Sequence, residues 1–120
     1  MRSVAILVLA ALFTITTTSS TNAAALWWKK VITRQKTHQR CMQAAQDGVS
    51  RTLRNIRISP DEVSGTSLDE KVYVAITCVE RGGNQRAVAI IAGVGDDPSA
   101  VRPVVDNTAE QVRTSGTPEY

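Results

Sequence analysis

Apolar and polar positions follow four patterns along this chain. In the first, residues 4–13 (VAILVLAALF) form an unbroken apolar run behind Arg2, followed by a Thr/Ser stretch that closes on Asn22-Ala23-Ala24-Ala25. Positive charge, apolar run, then small residues is the order of a secretory signal peptide. The run is about half the ~20 residues needed to span a bilayer. The expectation is a leader over residues 1–25, a single domain over 26–113 and a flexible tail over 114–120, in a protein that is periplasmic or secreted.

The second pattern is helical. Residues 26–46 hold no Gly or Pro, and Trp28, Val31, Gln35, His38, Met42, Ala45 and Val49 recur at spacings of three and four, which lines one face of a helix. Gly48 stands where a C-terminal stop is expected, since glycine accepts the left-handed conformation cheaply.

The third pattern is β. Ile56 and Ile58 alternate with Asn55 and Arg57, which predicts a strand over 52–58, and residues 59–69 read as a loop. Two β-rich runs, KVYVAITCVE and QRAVAIIAGV, then flank RGGN and predict a hairpin. Val72, Val74, Ile76 and Cys78 share one face of its first strand, and Val88, Ile90, Ala92 and Val94 are the heavier face of the second. Those faces coincide only across an odd connection, because a one-residue slip inverts every side chain. Gly82-Gly83-Asn84 as the loop satisfies this and predicts Cys78 beside Val88 and Ile76 beside Ile90.

The last pattern is helical again. Asp97 reads as a cap with Pro98 just inside, followed by the stripe Val101, Val104, Val105, Thr108 and Val112. Pro103 interrupts it, so the regular helix is expected to begin there. Together the elements predict an α+β two-layer sandwich: a three-stranded antiparallel sheet, in α-β-β-β-α order, with two helices on one face.

Composition adds a covalent tie. About 95 residues after the leader bury only a modest core. Cys41 and Cys78 are the two cysteines, and in an exported chain they are expected to form a disulfide between the first helix and the hairpin. The net charge of +3 is unevenly spread. Lys29, Lys30, Arg34, Lys36, Arg40, Arg51, Arg54 and Arg57 oppose Asp47 alone before residue 58, whereas acids predominate afterwards. The two halves are expected to face each other within one domain.

Two surfaces are candidates for binding. The hairpin face carrying Tyr73, Ala75, Thr77 and Val79, with Ala87, Ala89 and Ile91 opposite, is free of charge where a solvated sheet face is normally polar. It points to a protein partner or a second copy. Trp27, Trp28, Lys29, Lys30 and Arg34 form an alternative site: tryptophan settles at headgroup depth and lysine gains from anionic lipid or polysaccharide. That reading makes the chain a peripheral envelope protein, weakly membrane-associated, with no transmembrane segment after the leader.

Other chemistry finds little support. His38 and Cys41 lie at i, i+3, but zinc wants three or four ligands and no second histidine exists. Gly93-Val94-Gly95 precedes Asp96 and Asp97, which would repel a phosphate. No nucleophile elbow or paired-histidine motif is present. No catalytic residue, metal, cofactor or nucleic-acid partner is assigned. The sequence reads as a non-catalytic interaction module, self-associating or inhibitor-like.

Overall fold

The computed structural model describes residues 24–119, so the leader expected over residues 1–25 lies almost wholly outside the described residues. The fold is α+β, with two helices against one face of a five-stranded antiparallel sheet. The elements in chain order are β1 (Ala25–Ile32), α1 (His38–Thr52), β2 (Arg54–Ile58), β3 (Val63–Thr66), β4 (Val72–Val79), β5 (Val88–Gly95) and α2 (Pro98–Thr114). The sheet order is β1-β5-β4-β3-β2, so β1 and β2 are the two edges and α1 carries the chain between them.

Two strands go beyond the three expected. The segment read as the front of a helix is β1, whose Leu-Trp-Trp-Lys-Lys-Val-Ile run is rich in the aromatic and β-branched side chains that suit a pleated surface. Its residues pair with β5 from Ala25↔Gly95 to Ile32↔Val88. The helix begins only at His38, where the Thr37 hydroxyl accepts from the Arg40 N–H at 3.2 Å and caps it. The second addition, β3, lies inside the expected 59–69 loop; its Val-Ser-Gly-Thr is too short and too small to show periodicity.

Gly48 does not end α1. It lies within the helix, where an added Cβ would sit 3.0 Å from the Val112 side chain, so its bareness lets α1 and α2 cross closely. The helix runs on to Thr52, the first residue of the expected strand, and β2 starts two residues later at Arg54. At α2 the Asp97 carboxylate accepts from the Ser99 N–H at 2.9 Å, and the helix starts at Pro98 rather than at Pro103. A proline this near the N-terminus removes few intrahelical bonds.

The hairpin forms, with the opposite register. Val79 pairs with Val88, Cys78 with Ala89 and Ile76 with Ile91, across a connection of residues 80–87. That span is even, which turns Ala89, Ile91, Gly93 and Gly95 toward the helices and Val88, Ile90, Ala92 and Val94 away. The lighter face is the packed one because α2 lies close on it: a Cβ on Gly93 would run into Val105, and one on Gly95 would be 2.9 Å from Val101. Ala87 is spent elsewhere, since its carbonyl accepts from the Thr33 N–H and its N–H donates to Gln35, both continuing the β1 edge.

The core therefore lies between the sheet and the helix pair. Val63, Val74, Ile76, Ile91, Val49, Val101, Val105 and Val112 are fully buried there. Cys41 of α1 and Cys78 of β4 are joined by the expected disulfide, their Cα atoms 6.1 Å apart. A cross-link in a chain that otherwise buries small valines and alanines is consistent with an oxidising compartment. Residues 115–119, expected as a flexible tail, turn back on the β1–α1 connection: Gln35 Nε2 donates to the Thr117 carbonyl and the Glu119 N–H to that of Arg34.

Candidate docking face

Antiparallel register decides which side chains share a surface, because directly paired residues point the same way. Leu26, Trp28, Lys30 and Ile32 of β1 pair in turn with Val94, Ala92, Ile90 and Val88 of β5. Those residues pair with Tyr73, Ala75, Thr77 and Val79 of β4. Ser64 and Thr66 of β3 continue the rows, and Arg57 of β2 closes the one through Ser64. One row thus reads Trp28–Ala92–Ala75–Ser64–Arg57 across all five strands.

Neither helix covers this side. Leu26 is 65%, Trp28 59% and Ile32 56% exposed, with Tyr73, Val79 and Val94 exposed as well. The turn of residues 59–62 reaches its margin, where the Thr77 hydroxyl donates to the Asp61 carbonyl at 2.9 Å. Ser64 is buried here, and the hollow beside it is lined by Glu62 as well as Arg57 and Tyr73. Three strands of eight residues give the apolar part a footprint of roughly 400 Å².

The two sites expected from sequence are each split by this geometry. Of the hairpin residues, Tyr73, Ala75, Thr77 and Val79 lie on the open face. Ala87, Ala89 and Ile91 do not; all three are fully buried on the helix side, through the register reversal described above. The members that sequence reasoning missed are Val88, Ile90, Ala92 and Val94, together with Leu26, Trp28, Lys30 and Ile32. The aromatic and β-branched content of residues 26–32 was the signal available for β1, because the Trp-Trp and Lys-Lys doublets erase any alternation.

The Trp-Trp-Lys-Lys run divides by alternation too. Trp27 and Lys29 face α2: Trp27 Nε1 donates to Asp106 at 3.2 Å, Arg102 lies 4.5 Å over the Trp27 ring, and Lys29 is 3.9 Å from Asp106. Trp28 and Lys30 face outward. Arg34 follows the strand, its carbonyl held by Glu119.

The charge halves do meet. Lys29–Asp106, Arg40–Glu119 and Arg54–Glu70 join the basic half to the acidic half, at 3.9, 3.2 and 3.8 Å. Lys29–Asp106 lies on the helix side, whereas Arg54 pairs with Thr66 and so shares the Tyr73 row of the open face. On the open face Lys30 and Arg57 have no ion pair among the described residues, Arg54 of the Thr66 row is paired with Glu70, and Glu62 lines the hollow beside Arg57.

His38 has a structural duty. Its Nε2 lies 3.0 Å from the Pro60 carbonyl and its Nδ1 3.1 Å from that of Cys78, while its N–H donates to Glu80. Only the imidazolium donates to both carbonyls, so the Pro60 contact raises the His38 pKa above its ordinary value. Partial burial opposes this, and the Cys78 carbonyl, Asp61 and Glu80 reinforce it. The ring ties the start of α1 to the 59–62 turn.

Among the described residues, no group of three His, Cys, Asp or Glu is placed to hold a metal, and no helix is long and apolar enough to cross a membrane. No family model, curated protein or solved structure matches the chain.

Proposed function

We propose that this protein is an exported, non-catalytic interaction module that binds through the open face of its sheet. The observation carrying this reading is the uncovered apolar surface formed by β1, β5 and β4, with Leu26, Trp28, Ile32, Tyr73, Val79 and Val94 exposed together. Its footprint of roughly 400 Å² falls among the largest apolar patches found on monomers, which are often functional. A sheet face also suits binding because its backbone N–H and C=O groups are already paired, so covering it orphans none of them.

Site-specific photo-crosslinking in the native cells tests the reading. A photoreactive residue replacing exposed Val94 should give adducts, whereas one replacing Glu110, on the solvent side of α2, should not. Absence of adducts at Val94, or equal adducts at both positions, would refute it.

A further inference from the structure

We infer that the outer edge of β1 pairs with β1 of a second copy across a two-fold axis, joining two five-stranded sheets into one. This is independent of the docking reading, because it uses the edge of the sheet and leaves its face open. The Thr33 N–H donates to the Ala87 carbonyl, so by alternation Val31, Lys29 and Trp27 are the β1 residues bonded to β5. The backbone groups of Leu26, Trp28, Lys30 and Ile32 therefore point off the sheet. None of the four has a backbone hydrogen-bond partner among the described residues.

The two edges of the sheet are built differently. β2 is five residues long, its pairing with β3 shifts between Arg54 and Arg57, and Asn55 takes a φ of 53°. A short, bulged, charged strand is a guarded edge. β1 is eight residues long and pairs with β5 residue for residue, with no shift and no proline. α2 is seated over β5, one strand in from this edge, by Val105 and Val101 against Gly93 and Gly95. With β2 guarded, head-to-tail growth through unlike edges is blocked. The open edge that this chain offers to β1 is then β1 of another copy, which closes as a two-fold pair.

The lysines select the register. Lysine on an edge opposes indiscriminate pairing, and like charges directly opposite each other are destabilising. An axis through Lys29 sets that residue against itself, and an axis through Lys30 does the same there. An axis through Trp28 opposes no lysines: Trp28 meets its own counterpart, Lys30 meets Leu26, and Lys29 meets Trp27, whose ring attracts a cation. It engages the outward groups of Leu26, Trp28 and Lys30, more than any other register free of opposed lysines. Paired residues point the same way, so both copies keep their helices on one side and their open faces become continuous.

Analytical ultracentrifugation and cysteine cross-linking test this on protein purified from its own cells with its disulfide intact. A dimer is expected. Hydrogen-bonded partners have Cα atoms about 5.5 Å apart, within disulfide reach, so Trp28→Cys should cross-link to itself on oxidation. Lys30→Cys lies roughly 14 Å from its counterpart and should not, yet it should cross-link to Leu26→Cys when the two variants are mixed. Trp28→Arg sets two cations together on the axis and should weaken the dimer about tenfold. Tyr73→Arg, two strands in on the open face, should leave it within about twofold. A monomer at about 1 mM would overturn the inference. So would self-cross-linking of Lys30→Cys as efficient as that of Trp28→Cys, or a Tyr73→Arg loss as large as that of Trp28→Arg. Cross-links from Trp28→Cys to a different protein in place of a second copy would overturn it too. The docking reading, judged by Val94 adducts, survives failure of this pairing.

Discussion

Ile90 and Ile91 are adjacent in sequence and point to opposite sides of the sheet, which makes their truncation a sharp test of the fold. Ile91 pairs with Ile76 on the helix side and is fully buried, whereas Ile90 pairs with Thr77 and Lys30 on the open face and is only partly covered. Ile→Ala removes the carbons beyond Cβ. At about 0.8 kcal/mol per methylene-sized group the lost transfer free energy at position 91 is roughly 2.4 kcal/mol. The cavity left between sheet and α2 raises that toward about 3–4 kcal/mol, because the surroundings collapse only in part. For a domain of this size 3 kcal/mol lowers Tm by about 15 °C. At position 90 no closed cavity forms, and the cost should stay near or below about 1 kcal/mol. Urea titration of both variants, oxidised, gives the two values directly. A register with a three-residue loop reverses the order, so a larger loss for Ile90→Ala would refute the pairing described here, and equal losses would refute the one-sided core.

Reducing the Cys41–Cys78 bond, which closes a separation of 37 residues, should cost about 4 kcal/mol by loss of loop constraint in the unfolded chain. Melts with and without reductant measure this, and a difference under about 1 kcal/mol would contradict it. Gly93→Ala should destabilise by about 1–3 kcal/mol because its methyl meets Val105; adding Val105→Ala should make the pair less damaging than the sum of the single changes, and simple additivity in a denaturant cycle would refute the contact. The raised His38 pKa fixes a pH dependence. Its extra stabilisation is fully present below the unfolded value of about 6.5 and is lost as pH rises through the higher folded value. The stability gap between wild type and His38→Ala should therefore be wider at about pH 5.5 than at about pH 9, and a gap that does not narrow would refute the double-carbonyl contact.

How much of this was legible in the residues depends on what each signal measures. The disulfide was, because two cysteines admit only one intramolecular pairing. The hairpin and the Asp97 cap were, because they depend on local turn and cap chemistry. β1 was not, since Trp28, Val31 and Gln35 fit a helical stripe as well as a strand when no partner is in view. Its partner, β5, lies more than sixty residues later, and only that pairing separates the two periods. β3 was hidden by brevity: of its four residues Val63 alone is aliphatic, and Gly65 is buried with Leu53 3.1 Å from where its Cβ would be.

The register error is the instructive one, because it changed which residues form the candidate site. Choosing the heavier face of β5 as the core assumed that burial scales with side-chain bulk at each position. A helix laid close on a sheet inverts that rule: the space between backbones shrinks, the strand contributes Ala89, Gly93 and Gly95 beside the single bulky Ile91, and the helix contributes the volume through Val101 and Val105. The bulky Val88, Ile90 and Val94 are then left on the other side. Small residues on one face of a strand and large aliphatics on the other thus have two readings, a solvated face or a tightly packed one. The hairpin alone does not separate them, but the next element does. A helix that begins three residues after Gly95, with valines at 101, 105 and 112, presents branched side chains for which only a bare strand face leaves room. On that argument Ile90 and Val94 are surplus to the packed side of the sheet, and they join Trp28, Tyr73 and an unpaired Lys30 on the surface to which the docking role is proposed.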